Sequence, residues 1–124
     1  MISGQLKYLL SYQRNLPAQA GGIKEIKLFE IGKTYTQEAG AEGYTKYKET
    51  RKDVLTVSAD YLSLKSDIEM LLSQLGIRDY EFNRIDFLFK KSRGASITVN
   101  GEEIGKMGEI KSSTLYQFGI KGTV

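Results

Sequence analysis

IKEIKLFEIGKTY, residues 23–35, alternates with a period of two, and both of its faces are apolar: Ile26 and Leu28 on one, Phe29 and Ile31 on the other. Successive strand residues face opposite sides, so two apolar sets describe a strand covered on both, as in the centre of a sheet. Lys33 to Tyr35 lead out of it. Val54 to Ala59 supply a return strand. Between them, Gln37 to Lys52 are rich in Gly, Glu, Lys and Tyr without apolar periodicity, which predicts a long mobile loop. Upstream, Leu6, Leu9 and Leu10 fall at helical spacing beside Tyr8 and Tyr12, a short amphipathic helix over residues 5–12 that Pro17 and Gly21-Gly22 would stop.

Downstream, Asp60 is placed to cap a helix whose apolar face is Tyr61, Leu64, Ile68, Leu71, Leu72 and Leu75. Gly76 would end it in a left-handed turn, folding Ile77 back on Leu72. Tyr80 to Phe89 read as a strand, and Ala95 to Val99 pair with Glu102 to Lys106 through Asn100-Gly101, a strong two-residue hairpin signal. In that register Ile97 faces Ile104. A last helix runs from Ser112 to Phe118, stopped by Gly119, and Val124 reads as the first residue of a further strand. The order of elements predicts an α+β fold, an antiparallel sheet with flanking helices, as a single domain over residues 1–124.

Composition narrows the function classes. The 124 residues hold no Cys and no His, which excludes thiol nucleophiles, disulfides, imidazole bases and zinc fingers. Eighteen Lys and Arg against fifteen Asp and Glu give +3, too evenly spread to name a nucleic-acid partner alone. No charged start followed by an apolar run and no span of ~20 apolar residues is present, so a cytoplasmic protein without a membrane partner is expected.

Three strings in order carry a resemblance. Leu28-Phe29-Glu30-Ile31-Gly32-Lys33 with Tyr35 comes first, and the capped helix Asp60 to Gly76 follows. The third is Ser92-Arg93-Gly94-Ala95, then Asn100-Gly101, Ile104-Gly105, Gly108-Glu109-Ile110, Leu115 and Phe118-Gly119-Ile120. Together they resemble the catalytic-like core of phenylalanyl-tRNA synthetase beta subunits across nearly the whole chain. Two departures remove turn residues common in that family: Lys91-Ser92 stand for a proline and glycine, and Lys111-Ser112 for a histidine-proline pair.

The resemblance implies a class II aminoacyl-tRNA synthetase-like fold in degenerate, partial form, a non-catalytic core that supports assembly with a catalytic alpha-type subunit and aminoacylation of tRNA by it. Class II chemistry fixes an arginine on this strand against the ATP α-phosphate. Phe29 stands in that place. No catalytic residue, metal or cofactor is therefore expected. The alternative reading is a stand-alone synthetase-like interaction or regulatory protein, including a homo-oligomer, without an aminoacylation role.

The resemblance also places Leu6, Leu9 and Leu10 at a subunit interface, with Phe29 beside them; an exposed leucine stripe predicts association, whereas leucines folded onto the sheet leave a monomer possible. Lys46, Lys48 and Arg51, interleaved with tyrosines, form a candidate RNA or anion contact. Glu38, Glu42, Glu49 and Asp53 dilute that charge, so a solvated loop stands beside this reading. Arg93 is either a phosphate or carboxylate grip or a surface ion pair. Glu30 is either a polar group beside a former nucleotide site or a strand residue paired with a cation.

Overall fold

The computed structural model describes residues 2–15, 25–39 and 45–124. They form α1 (Ile2–Asn15), β1 (Lys27–Ala39), β2 (Thr45–Val57), α2 (Tyr61–Gln74), β3 (Tyr80–Arg84), β4 (Gly94–Val99), β5 (Glu102–Gly108) and α3 (Ser112–Phe118). The architecture is α+β, with two antiparallel sheets in place of the one expected: β1-β2, and β3-β4-β5. Pro17, Gly21-Gly22, Ile23, Glu42 and Tyr44 lie outside the described residues.

The long loop expected from Gln37 to Lys52 is instead mostly strand. β1 and β2 are each 13 residues long and pair from Lys27↔Val57 to Ala39↔Thr45. Cross-strand backbone bonds build this ribbon, and they need no apolar alternation when nothing among the described residues covers its outer part. Exposed Tyr35 and Tyr47, with Thr34, Thr36 and Thr50, supply β-favouring side chains that leave no burial signal in the sequence.

The base of the ribbon is held by α1. Gln5 is buried; its amide donates to the Val54 carbonyl at 3.0 Å and its side-chain oxygen accepts from the Thr56 hydroxyl. Leu6 and Leu9 are buried with Leu115, Ile120 and Val124, and Ile26, Leu28 and Leu10 pack around them. Of the two readings of Leu6, Leu9 and Leu10, an exposed stripe or leucines folded inward, the second is seen: Leu9 is fully buried, and only Leu10 stays half-buried at the margin. Val124 forms no strand; its carbonyl accepts from Ile110 N–H at 2.7 Å while its side chain joins this cluster.

The second core lies between α2 and the three-stranded sheet. Leu72, Ala95, Ile97 and Met107 are buried there, with Tyr61, Leu64, Ile68, Ile77, Tyr80 and Phe82 packed around them. Asp60 caps α2 as expected, its carboxylate accepting from Ser63 N–H at 2.9 Å. Gly76 at φ +75° ends the helix, and Ile77 N–H returns to the Leu72 carbonyl at 2.9 Å. Leu71 and Leu75, read as part of the buried face, are more than half exposed because the sheet reaches only the Leu72 side. α3 repeats the ending: Gly119 at φ +70°, with Ile120 N–H bonded to the Leu115 carbonyl at 3.0 Å.

Asn100 and Gly101 both take positive φ, as the two-residue turn requires, and Val99 faces Glu102. A bulge after Thr98↔Glu103 then sets Ile97 opposite Gly105, so Ile97 does not face Ile104, which is left exposed. The strand expected from Tyr80 to Phe89 stops at Arg84. Asp86 turns the chain by accepting from Arg84 and from Ser92 N–H, and Phe89 folds back over the paired glycines Gly94 and Gly108. A β-carbon on Gly108 would approach the Arg93 carbonyl to 2.6 Å and collide with the Phe89 ring, so the close approach depends on glycine.

Candidate functional site

The ladder register sorts the ribbon into two faces. On one, Phe29 lies across from Leu55, Ile31 from Asp53, Lys33 from Arg51, Tyr35 from Glu49 and Gln37 from Tyr47. On the other, Leu28 lies across from Thr56, Glu30 from Val54, Gly32 from Lys52, Thr34 from Thr50 and Thr36 from Lys48. α1 and the cluster below it cover the base of the second face only. The centrally buried strand expected for residues 23–35 is thus covered on one side: Phe29 is 78% exposed and Ile31 61%.

The open face is apolar at its base and charge-balanced further out. Phe29 and Ile31 stand free beside half-buried Leu55, an apolar step next to the body of the molecule. Lys33 pairs with Glu49 at 2.7 Å, and the charge of that Glu49 carboxylate raises the Tyr35 phenol above its ordinary pKa. At the root of β1, Lys27 Nζ binds Asp67 of α2 at 2.8 Å, a hydrogen bond that holds the ammonium above its usual range. This pair ties the ribbon to the second core.

The remaining candidates fall in separate places. Lys46 and Lys48 are on the covered-base face, Arg51 is on the Phe29 face, and all three are exposed. Arg93 sits far along the chain, its Nε 3.8 Å from buried Glu109. That carboxylate also accepts from Tyr61 N–H at 3.2 Å and pairs with Lys90 at 3.4 Å, so Arg93 belongs to a junction between α2 and β5. Glu30 is exposed and makes no ion pair among the described residues. Glu109 itself was legible in the sequence only as part of a string, because nothing marks a glutamate near a strand end as buried.

Phe29 therefore stands at the base of an accessible face, on the strand whose order and flanking elements carry the family pattern. Residues 7–124 match the family described as the phenylalanyl tRNA synthetase beta chain CLM domain. The chain belongs to this family. Phenylalanine–tRNA ligase beta subunits are its relatives across most of its length. The one from Saccharolobus solfataricus is 30% identical over 98 residues, 77% of this chain and 18% of its own length. That from Leptospira borgpetersenii serovar Hardjo-bovis is 23% identical over 124 residues, 92% of this chain and 16% of its own. That from Pasteurella multocida is 29% identical over 115 residues, 78% and 14% respectively. This CLM-family chain spans about a sixth of the length of the curated relatives it matches. No helix among its described residues is long and apolar enough to cross a membrane.

Proposed function

We propose that residues 1–124 act as one non-catalytic, class II synthetase-like module of a phenylalanine–tRNA ligase beta subunit in the cytoplasm, docking through the Phe29 face onto a catalytic alpha-type subunit that aminoacylates tRNA. The observation that carries this is the family match over residues 7–124. The chemistry of the exposed face agrees with it. Adenylyl transfer needs a cation fixed where negative charge develops. The strand offers Phe29 and Ile31 there, and the next cation out, Lys33, is already neutralised by Glu49 at 2.7 Å. A bare apolar step flanked by balanced charge suits burial against a protein.

In this reading Leu6 and Leu9 act from beneath by fixing the ribbon's base, with Leu10 at the margin, and the contact itself belongs to Phe29 and Ile31. The test is solution mass by light scattering, for the chain alone and mixed with a catalytic alpha-type subunit. A mixed complex is expected, weakened by Phe29→Asp with Ile31→Ser while the chain's melting temperature stays unchanged, because both side chains are already in water. Monomers or homodimers that ignore the alpha subunit would refute the role.

A further inference from the structure

The lysines of β2 were read from the sequence as part of a loop, and the ladder gives them an order a loop would not have. Residues 33–52 hold five cations, Lys33, Lys46, Lys48, Arg51 and Lys52, against Glu38, Glu42 and Glu49, a net +2 of the +3 carried by the whole chain. Strand alternation then separates them. Lys33 and Arg51 share a face with Glu49 and Asp53, whereas Lys46, Lys48 and Lys52 lie on the other with Thr34, Thr36 and Thr50.

We propose that this lysine face of the ribbon binds the phosphate backbone of a single-stranded RNA segment. Lys48 faces Thr36 and Lys52 faces Gly32, and neither lysine has an ion-pair partner among the described residues. The acids on this face stand at its two ends, Glu38 across from Lys46 and Glu30 across from Val54. Alternate strand residues recur every ~6.8 Å, of the order of the spacing of neighbouring phosphates along a nucleic-acid strand, so Lys46 and Lys48 stand one such repeat apart and Lys48 and Lys52 two, with Thr50 between. The Thr36 side chain is exposed across from Lys48 as a further hydroxyl donor. On the reverse face Tyr35 and Tyr47, both more than 60% exposed, lie diagonally across the ladder, where bases turning round the ribbon's edge can stack. An acidic peptide would use the lysines but not this pairing of regular cations with aromatic faces. The proposal does not depend on docking to an alpha subunit.

The experiment is fluorescence anisotropy of a labelled single-stranded RNA titrated with the 124-residue chain across a salt series. Lys46, Lys48 and Lys52→Gln together should weaken binding about tenfold at about 50 mM salt and flatten the slope of log affinity against log salt by about two, since three phosphate contacts are lost. Lys7, Lys91 and Lys121→Gln together remove the same charge elsewhere and should leave both nearly unchanged. All six lysines are exposed, so neither triple variant should alter the far-ultraviolet circular dichroism. No RNA binding by the unmodified chain at low salt, an equal loss in both triple variants, or displacement of RNA by polyglutamate as effective as by unlabelled RNA would each overturn the proposal.

Discussion

The two sheets show what pairing does alone and what it does under a cover. β3-β4-β5 has α2 across one face, and its strands are short with a buried stretch from Gly94 to Ile97. β1-β2 has α1 only at its base, and its strands run more than twice the length of β3 with most side chains in water. The ladder thus extends a strand regardless of its side chains, whereas burial decides which residues must be apolar. In the covered sheet a substitution acts on packing; on the outer ribbon it acts on whatever the ribbon meets.

The sharpest way to break this comparison is at the ribbon's base. Leu9→Ala removes the best-buried side chain of the lower cluster and should cost about 3 kcal/mol in denaturant unfolding. An unchanged stability would mean that the ribbon stands without α1. Gly108→Ala tests the covered sheet: the new methyl has no room between Phe89 and the Arg93 carbonyl, and a loss of roughly 1–3 kcal/mol is expected. A neutral outcome would show the Phe89 turn to be yielding.

A smaller effect separates the caps. Ser63 N–H holds the Asp60 carboxyl below the ordinary carboxylate range, and Arg84 does the same for Asp86. A depressed carboxylate contributes stability that is present above its unfolded pKa and lost as pH falls through the folded one. Melting temperature should therefore drop below about pH 4, and Asp60→Asn should make that drop shallower while Asp86 retains the rest. An identical acid profile in the variant would remove Asp60 from the balance.

The parts of the fold legible in the sequence are those whose signals are local. Asp60, Gly76, Asn100-Gly101 and Gly119 each set backbone geometry by their own chemistry, and each is found where the pattern put it. The outer ribbon was illegible because uncovered strands need no apolar period. The turn at Phe89 depends on Gly108, distant in the chain, and the bulge between Ile97 and Thr98 offsets a register that the Asn100-Gly101 signal alone leaves regular. Of the proposed site, Phe29 is marked in the sequence by its string. Its exposure is not, because two apolar faces in a strand are silent about which one has a cover. For Leu6 and Leu9 the sequence left an exposed stripe and a folded-in one both open for the same reason, their cover coming from Leu115, Ile120 and Val124 at the other end of the chain.

The ring of Phe89 resting on two facing glycines makes three distant positions a single heritable unit. Shrinking position 89 would not by itself admit a side chain at position 108 or 94, because the Arg93 and Ile85 carbonyls stand 2.6 Å from the β-carbons placed there. Lineages of this domain should therefore retain the two glycines and the ring over them together, leaving the turn itself in place.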